Sequence, residues 1–206
     1  MTLKRFLLTL VALAAATLLQ AQVRIDNYPL PQHPDTLRIL AVGNSFSDDG
    51  TEYLPGLLEA AGIRNVIVAR LYIGGCTLER HCKEYAEGTA NYIYYKSTKN
   101  AWVTVSRNAT LLDGLKDEPW DIITIQQASD DSGIYNTYEQ GIPKLVSIIR
   151  KEAPNPHAAI VWHMGVFGLD ERQMAEYKAA IKQWPVEIIM THAADHLASV
   201  LEENDV

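Results

Sequence analysis

The sequence is poor in several things that would have narrowed its class at once. Its 206 residues hold two cysteines, Cys76 and Cys82, too few for a disulfide-stapled scaffold. Positive charge is in deficit, with 18 Lys and Arg against 25 Asp and Glu and a net charge of −7. That balance excludes a chain built to follow a nucleic acid backbone. No HExxH, CxxC or His-x-His occurs, so no metal centre is expected. GxGxxG is missing too, and no cofactor is expected. No apolar run reaches the ~20 residues of a membrane-spanning helix.

The longest such run, Phe6 to Leu19, follows Lys4 and Arg5 and precedes Leu19-Gln20-Ala21. A basic start, a short apolar stretch and a small residue at the cut describe a secretory signal peptide over 1–21. A secreted or periplasmic location follows, with no stable membrane span once the leader is cut. Residues 22–36 read as a lead-in with Pro29, Pro31 and Pro34. The remainder, 37–206, is 48% hydrophobic in the whole-chain count and reads as one globular domain. Cys76 and Cys82 fall on nearly opposite faces if a helix starts at Thr77, so free, buried thiols are expected.

Within that domain, strand and helix patterns alternate. Leu37–Val42, Asn65–Tyr72, Trp120–Gln126, Ala158–His163 and Val186–Met190 read as buried strands. Helices are expected from Asp48-Asp49-Gly50-Thr51 to Ala61, and over Thr77–Glu87, Leu111–Lys116, Tyr138–Ala153, Leu169–Gln183 and Ala193–Leu201. Tyr92–Ser97 and Ala101–Ser106 read as an inserted hairpin. Strands separated by helices imply parallel crossovers. The expected fold is an α/β three-layer α/β/α sandwich, with a five-stranded parallel sheet in the order 2-1-3-4-5.

Ligand sites of open parallel sheets lie beyond the carboxyl ends of the strands. Those ends carry Gly43-Asn44-Ser45-Phe46-Ser47, Gly74-Gly75-Cys76, Gln126-Gln127-Ala128-Ser129, Trp162-His163 and Thr191-His192. Ser45 follows the first strand at a helix start, where a nucleophile would be rigidly held. Two plainer readings compete: a helix-capping serine, or a phosphate-cradling loop, which lacks a neighbouring lysine. Gly75 offers a backbone N–H, Gln127 an amide and Ser129 a hydroxyl. Asp48, Asp49, Asp130 and Asp131 read as caps and solvated turns rather than cation ligands. Tyr92, Tyr94, Tyr95 and Trp102 in the hairpin could stack on sugar rings or pack over the sheet.

Residues 39–47, ILAVGNSFS, resemble the first block of SGNH (GDSL-like) hydrolases, with Asn44 in place of the usual aspartate. Together with LYIGGCTLERH at 71–81 and WDIITIQQAS at 120–129, followed by Ser132-Gly133, they are similar to the domain-of-unknown-function family 4886 branch of that superfamily. The resemblance implies a flavodoxin-like fold and ester hydrolysis, with Ser45 as nucleophile and first oxyanion donor and Gly75 as second donor. The asparagine of the usual third block is absent. Gln127 is the expected replacement, with Ser129 next. Asn44, Ser129 and His163 are expected to contact substrate, a small-molecule or carbohydrate ester.

The usual Asp-x-x-His does not occur. His192 is the best-placed candidate base, ahead of His163 and His196. Ala193 stands where the aspartate would precede His196, although Asp195 is adjacent. His81 and His157 are expected at the surface or behind the site. The alternative is a catalytically incomplete binding module, or a fragment of a longer hydrolase.

Overall fold

β1 (Thr36–Gly43) forms the centre of a seven-stranded sheet, paired with a parallel neighbour on each side. The computed structural model describes residues 36–98, 101–132, 134–155, 158–166 and 187–192. All of them belong to one unit spanning His33–Val206. The leader, the lead-in up to residue 35, the expected helices at 169–183 and 193–201, and Asp195, His196 and His157 lie outside the described residues.

The strands are β1, β2 (Asn65–Tyr72), β3 (Tyr92–Ser97), β4 (Trp102–Ala109), β5 (Ile122–Gln126), β6 (Ala159–Val166) and β7 (Glu187–His192). Their order is β4-β3-β2-β1-β5-β6-β7. This corrects the expected sheet. The hairpin is not an insertion beside a purely parallel sheet of order 2-1-3-4-5. It extends the sheet, with β3 antiparallel to β2 and β4 antiparallel to β3. Backbone groups on the outer side of β2 would otherwise lack partners, and β3 supplies them over Ala69–Tyr72.

Side chains of β1 alternate between two apolar clusters. Leu40 and Val42 point into a large one, Leu37 and Ile39 into a small one. The large cluster is covered by α3 (Leu78–Glu87), α4 (Leu111–Asp117) and α5 (Tyr135–Glu152). They contribute Leu78, Leu111, Leu115, Tyr138, Ile142, Leu145 and Ile149. Along α5 these recur at helical spacing, one stripe toward the sheet. Pro143, which removes an N–H from the ladder, is on the exposed side, where water can satisfy the Glu139 carbonyl. The small cluster packs against Leu54 and Leu58 of α2 (Leu54–Ala60).

The expected long helix from Asp48 to Ala61 is instead two. α1 (Ser45–Thr51) starts earlier, because Asn44 caps it, and α2 restarts after Glu52-Tyr53. The cause is Pro55: it has no N–H to donate to the Thr51 carbonyl, but it fits the first turn of a new helix. β5 also begins later than expected. Trp120 is fully buried and donates its indole N–H to the Gly114 carbonyl at 2.8 Å, in the turn that follows α4.

Glu84, near the end of α3, holds the entry to β3. Its carboxylate accepts from Asn91 at 2.8 Å, from Arg80 at 3.2 Å and from Thr89. Burial pushes the carboxyl up, but these hydrogen bonds outweigh it and hold it below its ordinary value. Asp117 is likewise held low by Lys96 and Tyr94 against its burial. A depressed folded value means stability that is present above the unfolded carboxylate pKa and lost as pH falls through the folded one. The urea midpoint is therefore expected to fall steadily below about pH 4. Glu84→Gln should lower the midpoint at pH 7 and flatten that slope. Equilibrium denaturation between pH 3 and 7 checks both.

Candidate functional site

The rim at the carboxyl ends of β1, β2 and β5 is held by one side chain. Asn44 is 2% exposed. Its Nδ2 donates to the Cys76 carbonyl at 3.2 Å and to the Gln127 carbonyl at 3.3 Å, while its Oδ1 accepts the Phe46 N–H at 3.2 Å. Three chain segments therefore meet on one amide. Asn44 was expected to face substrate; its hydrogen-bonding groups are spent on backbone instead.

Ser45 follows directly and is exposed at the start of α1. Two residues on, Ser47 is buried, and its hydroxyl donates to Gln126 Oε1 at 2.6 Å. This bond explains Gly43. A Cβ there would collide with the Ser47 hydroxyl and lie 2.8 Å from Gln126 Oε1.

The β2 loop brings Gly75 to the same rim. It is exposed, with φ +60, a conformation glycine adopts freely. Its turn is closed by the Cys76 N–H on the Ile73 carbonyl at 3.2 Å, so that bond does not use the Gly75 N–H. The next residues are anchored from below. Cys76 Sγ lies 3.5 Å from His81 Nδ1, which is 2.8 Å from the Tyr92 hydroxyl. His81 was expected at the surface or behind the site; it is fully buried and stacked on Tyr92. Burial foremost, and then Arg80, push its pKa down to about 3, so it is a neutral imidazole.

Gln127 is 4% exposed. Its Oε1 accepts from the N–H groups of Leu78 at 2.9 Å and Ala128 at 3.0 Å, and its Nε2 donates to Thr137 at 2.9 Å. It ties the β5 loop to the starts of α3 and α5. Ser129 is exposed and opens a short 3-10 turn, Ser129–Asp131. Between these segments lies a pocket of about 100 Å³, bordered by Thr77, Gln127, Asp131, Asn136, Thr137 and Gln140. Amides and hydroxyls dominate its wall.

The histidines at the far strands are placed by register. His163 on β6 is level with Gln126 on β5. His192 ends β7, level with Val166. Neighbouring strands lie about 4.8 Å apart, so β6 is roughly 10 Å and β7 roughly 14 Å from β1. The described rim thus brings together Ser45, Asn44, Gly75, Gln127 and Ser129, with His163 and His192 farther along it. Among the described residues, no cluster of three or more His, Cys, Asp or Glu could hold a metal ion.

Sequence reasoning placed Ser47 and Gln126 at strand ends without a role, left His81 between the surface and a place behind the site, and missed Arg70. Arg70 is 5% exposed. Its guanidinium donates to Thr51 at 2.7 Å and Glu52 at 2.8 Å, and lies 3.5 Å from an Asp48 oxygen. The available signal was an arginine inside an apolar strand, with acids one helix earlier.

Replacing Asn44 by Ala should cost roughly 2–4 kcal/mol, because two buried carbonyls and a helix cap lose their partner together. Urea denaturation measures it. Cys76 and Cys82 are not joined to each other. Burial pushes the Cys76 thiol up to about 12 and the Cys82 thiol to about 11. At pH 8 the Cys76 thiolate is then only about one part in 10⁴. Iodoacetamide should label the native chain far more slowly than the urea-unfolded chain, as read by mass spectrometry.

Comparison with known proteins gives the family. The profile of a domain of unknown function, DUF4886, matches residues 38–177. A crystal structure of a DUF4886 family protein from Bacteroides uniformis ATCC 8492 is similar, with a TM-score of 0.65 and 32% identity. The match covers 75% of this chain and 67% of that one. No curated protein matches. The matched span runs from within β1 through β6 and holds Ser45, Gly75 and Gln127. The chain belongs to the DUF4886 family.

Proposed function

We propose that this chain is an exported serine ester hydrolase of the SGNH type, built on a flavodoxin-like three-layer sandwich. The observation that carries this reading is Ser45. It stands exposed one residue beyond the Asn44 clamp, on the same rim as the exposed Gly75. On this reading the Ser45 hydroxyl attacks the acyl carbonyl and its proton passes to a general base. The tetrahedral oxyanion accepts from the Ser45 and Gly75 N–H groups. The intermediate expels the alcohol and leaves an acyl-serine, which water then cleaves to the carboxylic acid.

Gln127 has one amide hydrogen beyond the bond to Thr137, and Ser129 offers a free-standing hydroxyl as the second candidate donor. His192 needs a path across roughly 14 Å of sheet to act as base. The chemistry calls for no metal or cofactor. The polar side chains of the pocket at Thr77 and Gln127 favour a hydroxyl-rich alcohol, such as an acylated sugar, over a fatty chain. The leader at 1–21 supports export into a secreted or periplasmic location. No helix among the described residues is long and apolar enough to cross a membrane.

A second reading, a non-catalytic binding module, draws on His81. Its imidazole is buried and neutral, and its Nδ1 is held by Tyr92 and Cys76 rather than aimed at Ser45. One assay separates the two. The chain without its leader should hydrolyse p-nitrophenyl acetate, and Ser45→Ala should lower the rate by at least about 10³-fold with unchanged circular dichroism. Equal rates in both proteins overturn the assignment. A folded chain inert toward acetylated sugars and p-nitrophenyl acetate alike overturns the esterase reading in favour of the binding module.

A further inference from the structure

A second cleft opens at the other end of α1, between the α1–α2 junction and the β3–β4 hairpin. It has a volume of about 370 Å³ and is bordered by Glu52, Tyr53, Pro55, Ser97, Thr98 and Trp102. Tyr53 is 78% exposed, a large aromatic with little of its surface used in packing. Trp102 is held from two sides. Its indole N–H donates to the Glu52 carbonyl at 3.3 Å, and the Arg70 guanidinium lies 3.5 Å from its ring centroid. Arg70 is itself fixed by Thr51, Glu52 and Asp48. A buried cation, neutralised by two acids, thus serves as the floor on which one indole rests.

We infer that this cleft binds a saccharide, with Trp102 and Tyr53 as stacking platforms and Glu52 and the Ser97 O–H as hydroxyl partners; the Ser97 oxygen also accepts the Val68 N–H, and the Thr98 hydroxyl is engaged with Ala101. A sugar ring is apolar on its C–H face and polar around its edge. The cleft has the matching arrangement of a braced indole and an exposed tyrosine beside a carboxylate whose side chain is 47% exposed and a serine hydroxyl. A phosphate or nucleic acid fits poorly, because Arg70 is spent on Asp48 and Glu52 and is 5% exposed. A fatty chain fits poorly because the wall is half polar and open.

Position adds to this. Ser45 and Glu52 are seven residues apart at the two ends of α1, about 10 Å at 1.5 Å per residue. That is the length of about two sugar units. Calling the cleft a subsite of an esterase rests on the reading above; the binding itself does not.

The test is affinity gel electrophoresis of the Ser45→Ala chain through gels containing acetylated xylan, glucomannan or pectin. Retardation by at least one glycan is expected. Tyr53→Ala and Trp102→Ala should each weaken it about tenfold, and Val103→Ala, on the exposed edge strand away from the cleft, should not. Trp102→Ala could act by loosening the hairpin; Tyr53→Ala removes an exposed ring and separates binding from folding. No retardation by any of the three, or full retardation of Tyr53→Ala, overturns the inference. Glycan binding by a chain that hydrolyses no ester supports the cleft and overturns only the esterase reading.

Discussion

The rim depends on the Asn44 side chain. Parallel strands are bonded to one another along their lengths, but the loops beyond their ends are not. One buried amide closes that gap. It donates to a carbonyl of the β2 loop and a carbonyl of the β5 loop, and accepts from the helix that follows β1. Each exposed rim residue then stands one or two positions from a fixed atom: Ser45 beside Asn44, Gly75 beside Cys76, Ser129 two beyond Gln127. The SGNH resemblance leads one to expect aspartate at this position. A carboxylate has no N–H, and would face both carbonyls with lone pairs. The amide is what lets these two loops close on this helix.

α1 has seven residues, too few for a stable helix in isolation. Both of its ends are held from outside. Asn44 caps the start, and Arg70 grips the finish through Thr51 and Glu52. Burying a guanidinium is costly unless its charge and donors are matched, and here Asp48 and Glu52 supply the opposite charge. Burial pushes the Asp48 carboxyl up while Arg70 pulls it down. The same contacts stack Arg70 on Trp102 and so join α1 to the hairpin. Ser45 owes its fixed position to this bracing as much as to the strand before it.

How far the sequence could be read follows from the range of each signal. Strand β2 was legible to the residue, because Asn65–Tyr72 is an uninterrupted β-prone run bounded by breakers. The α1–α2 break was not, because it depends on one missing N–H at Pro55 and on a cap, Asn44, that lies before the visible acidic cluster at Asp48. The hairpin was legible as two strands, yet its place at the edge of the sheet is a pairing across sequence and leaves no local pattern. At the rim, the positions of Ser45 and Gly75 were legible because each follows a strand end. The engagement of Gln127 with Leu78, Ala128 and Thr137 was not, since a side-chain amide reveals its partners only in three dimensions. For His81 two placements were open, at the surface or behind the site; the second holds, and its burial depends on a tyrosine from the hairpin.

That histidine also bears on which nucleophile the rim can use. Cys76 and His81 lie 3.5 Å apart, a spacing at which a thiol and an imidazole could form a reactive pair. Burial argues against it from both sides. It drives the thiol up to about 12 and the imidazole down to about 3, so neither holds charge at neutral pH and transfer of the proton would create two buried ions. The pair is suited to packing the underside of the Gly75 loop against Tyr92, not to attack on a substrate. The exposed hydroxyl of Ser45 is the one the clamped rim presents to solvent beside this pair, and on the proposed reading the base that activates it must come from some residue other than His81.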